Sequence, residues 1–491
     1  MRNPLPDRRE ISRRDFLTAA AVTATGVVVG SSAIEEARGG TARRRFAQVG
    51  VGGRSILYRK AVLSSHAEHC EMVGFCDLKP GRLKLAQAHA RSFAGLEVPI
   101  YASSDFDRLI QETKPDAVIV TTKDAAHSDY IVRAMELGCD VVTEKPMTTD
   151  ETKCRAIFDA QRRTGKRCRV TFNYRYSPPR TQVKDLLMSG IIGDVLSVDF
   201  HWHLDTFHGS DYFRRWHSNK VNSGGLMVHK ATHHFDLVNW WLSAVPVSVM
   251  ATGKRHFYTP AMAKRIGLES HHDRCLTCPE KARCGFYLDI ATHPEYREVY
   301  LAQEHYDGYF RDRCVFRPDI DIEDTMNVQV GYNTGVTMAY SLNAFSAWEG
   351  YQICFNGTKG RLEHKMEELV YVNPREGRSV PDRKEGATTI RICPIRAAAY
   401  EVPVWKGDGE HAGGDRVMLD DIFLPQRPTD KYLRAADHRA GAFSLLVGVA
   451  ANRSFTTGET VKISDLVREI PPPDYPPMPS HVEPIPMPAR A

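Results

Sequence analysis

The 491-residue sequence lacks a strong charge of either sign, a basic stripe with interleaved aromatics, and any repeat of fixed period. Its 65 Lys and Arg against 60 Asp and Glu leave a formal charge of +5, too mild for a nucleic-acid partner. The missing repeat excludes solenoids and propellers. The one apolar lead segment, TAAAVTATGVVVGSSA, is short and mild, so no stable membrane span is expected in the mature form. What is there is an ordinary globular composition, 42% hydrophobic and 25% charged. The length exceeds one compact core and predicts two domains plus ends.

The N-terminal stretch SRRDFL (Ser12 to Leu17) precedes that apolar segment, giving a charged region, an apolar region and small residues in the order of an export signal. Arg13 and Arg14 followed by Phe16 and Leu17 resemble the twin-arginine signal. The expectation over 1–40 is therefore a leader and linker, with delivery by the twin-arginine export machinery to the periplasm or the exterior. Cleavage near Ala33 fits, and an uncleaved anchor stays open. The other end, 466–491, is proline-rich and reads as an extended tail.

From 44 to 170 strand and helix patterns alternate: RRFAQVGV, CEMVGFCD, DAVIVTT and CDVVTEKP as strands, SDFDRLIQET and AAHSDYIVRAMELG among the helices. That alternation predicts an α/β fold with a doubly wound parallel sheet, a Rossmann domain. Its first strand runs into GVGGRS. Gly50 permits the tight turn, Gly52 lets the backbone approach a pyrophosphate, and Ser55 is small enough for close helix packing. Asp77 ends the second strand, where a carboxylate bonds a ribose 2′-OH and repels a 2′-phosphate, favouring NAD over NADP.

TEKPM (Thr143 to Met147) at a strand end, VTTKDAAHSDYIVRAMELG with His127, and NYRYSP (Asn173 to Pro178) together resemble the Gfo/Idh/MocA oxidoreductase family, from about Arg45 to Asp236. The resemblance implies a Rossmann domain at 44–170 and a C-terminal α/β domain at 171–465. The second is built on an open, mostly antiparallel sheet that commonly mediates homo-oligomers. It implies a cofactor set of Gly50, Gly52, Gly53, Arg54, Ser55, Asp77, Thr121, Thr122, His127, Glu144 and Lys145, with Lys145 reaching both nicotinamide and substrate and Pro146 cis. The family's second-domain helix usually reads Asp-x-Gly-x-His-x-x-Asp after two glycines. Here Gly224, Gly225, His233 and Asp236 match, but His229 stands at the first Asp and Ala231 at the Gly. His233 thereby inherits the proton-acceptor role, and His229 joins Lys145 and His233 as a catalytic candidate. A zinc site on HKATH would need Glu directly after the first His, and Lys230 is there instead. His234 reads as structural.

The chemistry follows physically. Moving a hydride off a secondary alcohol carbon requires the hydroxyl proton to leave; a neutral imidazole accepts it, and a nearby ammonium stabilises the developing alkoxide. In the second domain Arg175, Tyr212, Arg215, Trp216 and Lys230 are the substrate candidates, suited to stacking on sugar faces and bonding hydroxyls or an acidic group. An insertion at 254–321 carries Cys275, Cys278, Cys284 and Cys314, four of the eleven cysteines. Their spacing suits a structural zinc or iron–sulfur cluster; two disulfides are the alternative. The expected function is an NAD-dependent oxidoreductase acting on a secondary hydroxyl of a sugar, polyol or glycoside. The alternatives are a glycosidase that uses tightly bound NAD for transient oxidation, elimination and re-reduction, and a binding module with a vestigial fold.

Overall fold

The computed structural model describes residues 42–369, 387–407, 410–426 and 429–479; the expected leader and the end of the proline-rich tail lie outside the described residues. The first sheet is built from β1 (Arg44–Val49), β2 (Cys70–Asp77), β3 (Ile100–Ala102), β4 (Ala117–Val120), β5 (Asp140–Thr143) and β6 (Cys168–Val170). These strands are parallel in the order β6-β5-β4-β1-β2-β3. Central strands such as AVIV in β4 are buried along their whole length, because helices cover both faces of a parallel sheet. The strand order reverses direction between β1 and β4, which opens a crevice at the carboxyl ends of the strands.

The second sheet takes β7 (Val195–Asp205), β8 (Pro246–Lys254), β9 (Thr325–Tyr332), β10 (Thr337–Ser346), β11 (Glu349–Gly357), β12 (Gly360–Leu369), β13 (Thr388–Pro394) and β14 (Tyr400–Glu401). A two-residue β15 (Ala436–Asp437) pairs antiparallel with β6 in the first sheet, and β16 (Val461–Lys462) closes the second beside β8. The second sheet runs β14-β13-β12-β11-β7-β10-β9-β8-β16, antiparallel except where β10 meets β7. Residues of β9 and β10 alternate between buried and exposed, so one face packs on the core while the other stays open. The expected architecture is thus present: a Rossmann sheet followed by an α/β part on a mostly antiparallel sheet.

Three features position the site. The helix Asp124–Glu136 starts at the end of β4, with Asp124 in its first turn. The stretch after Gly225 is two helices, Leu226–His229 and Thr232–Leu242, with a break at Lys230 and Ala231. The insertion between β8 and β9 carries only short helices, such as Pro260–Arg265 and Pro294–Val299. The described end of the tail has no regular structure, as expected, but it is held down. Pro476 accepts the Ser243 hydroxyl at 2.6 Å, and the Tyr475 ring lies against Arg175.

Candidate active site

The glycine loop closes β1 onto the end of β4. Gly50 has φ 81°, and a Cβ there would meet the Thr122 backbone nitrogen at 2.5 Å, so no other residue fits. The Thr121 hydroxyl donates to the Gly50 carbonyl at 2.6 Å. The Ser55 hydroxyl donates to the Gly52 carbonyl at 2.5 Å as the next helix begins. The Asp77 carboxylate accepts the Val51 and Lys79 backbone N–H groups at 2.7 and 2.8 Å, tying the loop to the end of β2.

Above this loop lies a cleft of about 280 Å³, lined among others by Gly50, Gly52, Gly53, Arg54, Asp77, Thr121 and Thr122. A backbone that can approach closely, N–H groups at a helix start and a carboxylate at the second strand end fit a dinucleotide. The remaining residues of the expected cofactor set sit beneath the cleft. His127 reaches the carbonyls of Pro146 at 2.8 Å and Thr122 at 3.2 Å, so it ties two loops together from below. Glu144 accepts Arg54 Nε at 2.7 Å and the Tyr58 hydroxyl at 2.8 Å. Burial alone would raise its carboxyl, but the Arg54 and Lys145 cations outweigh that and hold it below the usual range. The cleft also gathers residues that the motif did not point to: Lys79, Arg82 and Lys123 on the Rossmann side, Tyr300 and Tyr309 from the insertion. The Lys79 ammonium lies over the Tyr309 ring at 4.8 Å and the Arg82 guanidinium over Tyr300 at 5.8 Å. Only contact across the fold brings these together, so no local signal could have shown them.

The Lys145–Pro146 peptide is cis, as the resemblance implied. Lys145 Nζ donates to the His229 carbonyl at 3.1 Å and lies 3.5 Å from His229 Nε2. The other ring nitrogen, Nδ1, is 2.5 Å from Asp124 Oδ2. Asp124 was not expected in the site; it follows the strand-end loop by one residue, and its partner is 105 residues away. Burial, reinforced by the Lys145 and Arg215 cations, lowers the His229 imidazole well below its ordinary value, so the ring is neutral. Burial, opposed by Asp124 and Glu144, brings Lys145 down to about 8. Around the His229 ring stand Tyr212, Trp216 and His217, the last at 4.2 Å between ring centres. His217 belongs to the segment HGSDYFRRWHSNK, whose mixture of Tyr212, Arg214, Arg215, Trp216 and His217 the sequence already offers for binding a sugar.

The break at Lys230 sends the other histidines elsewhere. His233 stacks on Tyr174 at 4.3 Å. His234 stacks on Trp202 at 3.9 Å and its Nδ1 is 2.7 Å from the Tyr340 hydroxyl, a core position as expected. His229 and His233 therefore do not share one unbroken helix face, as a spacing of four had suggested.

The substrate candidates divide. Arg215 and Trp216 line the cleft, and Tyr212 bonds His208 at 3.0 Å beside the His229 ring. Lys230 is 4% exposed and turns inward to the Tyr174 hydroxyl, Glu349 and the Trp202 ring. Arg175 is placed away from any substrate. It is 1% exposed and donates two hydrogen bonds to Asp236, at 2.7 and 2.5 Å. The expectation for Arg175 is corrected: its fork is engaged by a buried carboxylate.

The metal expected at the four cysteines of the insertion is not supported. Cys275, Cys278, Cys284 and Cys314 border one small cavity of about 20 Å³, and all are free thiols. Among the described residues, no group of three or more His, Cys, Asp or Glu side chains is arranged to hold a metal ion. The sulfurs serve local bonding instead. Cys275 accepts Arg214 Nη1 and the Leu288 N–H, each at 3.4 Å, and Cys314 accepts the Phe316 N–H at 3.5 Å.

Residues 44–172 match the oxidoreductase family's NAD-binding Rossmann fold, and residues 184–463 match its C-terminal alpha/beta domain. YteT of Bacillus subtilis (strain 168), which carries an oxidoreductase name, is 34% identical over 431 residues, 85% of this chain and 97% of YteT. Glycosyl hydrolase family 109 protein 2 of Akkermansia muciniphila is 30% identical over 158 residues, 31% of this chain and 33% of that protein. Aldose-aldose oxidoreductase from Caulobacter crescentus, a solved structure, shares the fold with a TM-score of 0.55 at 17% identity, covering 86% of this chain and 99% of that one. The chain belongs to the Gfo/Idh/MocA family of NAD(P)-dependent oxidoreductases.

Proposed function

We propose that the protein is an NAD-dependent dehydrogenase that acts on a secondary hydroxyl of a sugar or polyol, with His229 as the proton acceptor. The observation that carries this is the Asp124–His229–Lys145 chain beside the cofactor cleft. Burial pushes the Asp124 carboxyl well above its ordinary range while the Lys145 and Arg215 cations oppose this; in its ionised form it accepts from His229 Nδ1–H and leaves the Nε2 lone pair facing Lys145. A substrate hydroxyl placed between Nε2 and Nζ would give its proton to the imidazole, while the ammonium stabilises the oxygen as it becomes a carbonyl. A bound nicotinamide supplies the hydride acceptor or donor. Asp124 is a positioning residue that fixes the tautomer. His233, to which the family pattern assigned proton transfer, supports Tyr174 one helix further in. The test is a panel of aldoses, inositols and uronates with added NAD, following NADH formation and the keto product. No turnover with any of them, by a protein that binds NAD, would refute the reading.

A second reading rests on a different observation. Tyr300 and Tyr309 wall the cleft, so the cofactor would be covered by the insertion. Covered cofactor suits chemistry in which oxidation and re-reduction occur within one turnover, as a glycoside-cleaving cycle requires. It also suits a protein exported with its cofactor already in place. Release of an aglycone without net NADH would select this reading over net oxidation.

A further inference from the structure

Beside the cofactor cleft is a second cleft of about 500 Å³, and the two share Lys123, Arg215, Trp216 and Tyr309 as a common wall. The charge of the second cleft is one-sided. Lys123, Arg214, Arg215, Arg274 and Arg313 border it, against a single carboxylate, Asp273. None of the glycine loop does; of these cations Lys123 and Arg215 also face the cofactor cleft, whereas Arg214, Arg274 and Arg313 border the second cleft alone.

Three of the five cations are balanced inside the protein. Arg215 meets Asp211 at 3.5 Å, Arg274 meets Glu304 and Asp312 at 2.8 Å each, and Arg313 meets Asp319 at 3.2 Å. Lys123 and Arg214 form no ion pair among the described residues, although the Arg214 charge reaches the Asp211 carboxyl and helps to lower it. Buried Arg214 has as its bonding partners a thiol, that of Cys275, and the Phe286 carbonyl. Lys123 is exposed and meets no carboxylate among the described residues, and partial desolvation together with the Arg82 cation lowers its ammonium. Arg215 adds a buried Nε with no hydrogen-bond partner among the described residues. Cations held this way are stabilised when an anion arrives, and charge-assisted bonds are the stronger kind.

We propose that this cleft binds an anionic group of the substrate, a carboxylate or phosphate on a saccharide, and that the enzyme selects acidic over neutral sugars. The position supports the chemistry. Lys123 directly precedes Asp124, which orients His229, and Trp216 stands between the cleft and the His229 ring at 5.9 Å. A sugar whose acidic group reaches Lys123 and Arg215 would lay its ring against Trp216 with a hydroxyl near His229. The inference rests on the dehydrogenase reading for what happens to that hydroxyl, but not for binding.

The test uses the full chain with NAD and matched pairs: D-glucuronate against D-glucose, D-galacturonate against D-galactose, and glucose 6-phosphate as the phosphate arm. Binding is read by calorimetry and turnover by NADH formation. The expected result is a preference of about tenfold or more for the acidic member. In Lys123→Gln and Arg313→Gln that ratio falls towards one. Because it compares two ligands on the same protein, a general loss of folding cannot imitate that fall. A still larger preference for the phosphate would support the site and name its anion. Equal binding and turnover of acidic and neutral sugars would overturn the site and leave the dehydrogenase reading. Tight binding of uronates with no turnover would support the site and overturn the dehydrogenase reading.

Discussion

At the scale of single residues, the substitution of His for the family's first Asp reorganises the site. His229 gains a carboxylate partner from the Rossmann side, and a neutral imidazole stands where the family pattern has a fixed negative charge. Asp124→Asn would keep the size of the side chain but stabilise the wrong ring tautomer. The expected result is a fall in kcat/KM of about a hundredfold or more with NAD affinity retained, measured by steady-state kinetics and nucleotide titration. The titrations give a second prediction. The Lys145 ammonium is present below about pH 8 and lost as the pH rises through that value, whereas His229 stays neutral through the neutral range. The kcat/KM profile should therefore be flat near neutrality and fall above about pH 8, and Lys145→Arg should push that alkaline limb out of range. A rate that climbs through pH 8 would contradict the role given to the ammonium.

At the scale of elements, the insertion between β8 and β9 supplies one wall of the cofactor cleft through Tyr300 and Tyr309. It packs directly on the Rossmann part: a Cβ on Gly81 would lie 1.6 Å from the Gln303 side chain, so that glycine allows the contact. Arg311 runs between the Tyr296 and Tyr300 rings at 5.0 and 5.4 Å and pairs with Asp211 at 2.6 Å, anchoring the insertion to the second part of the fold. The wall of the cofactor cleft is thus made by rings held on cations. In the double variant Tyr300→Ala, Tyr309→Ala, NAD should leave about tenfold faster than from the parent, because aromatic contact and shielding are removed together. Nucleotide retained after repeated desalting measures this directly; equal retention would show that the insertion does not hold the cofactor.

At the scale of the whole molecule, the Arg175–Asp236 pair joins the crossover segment after β6 to the helix Thr232–Leu242, with both side chains 1% exposed. Removing one partner leaves a buried charge uncompensated. Arg175→Met should lower stability by about 3–5 kcal/mol, seen as a fall in the denaturant midpoint, while Arg175→Met with Asp236→Leu should recover part of it. Much of the architecture was legible in the sequence because it rests on local pattern: continuous apolar strands alternating with helices for the parallel sheet, and GVGGRS for the cleft. The site was only partly legible. Lys145 and His229 could be named from motifs, but the helix break at Lys230, which separates His229 from His233, depends on packing against Tyr174 and Trp202. Asp124 and the insertion tyrosines enter through contacts between segments far apart in the chain. Arg175 misled for the same reason: its type suits a substrate, and only its buried partner shows otherwise. The most direct test of the account compares His229→Ala with His233→Gln on the sugar that turns over best, with NAD binding checked in each. The account predicts that His229→Ala loses about a hundredfold to ten-thousandfold in kcat/KM while His233→Gln loses less than about tenfold. The reverse order, with NAD binding intact in both, would contradict it.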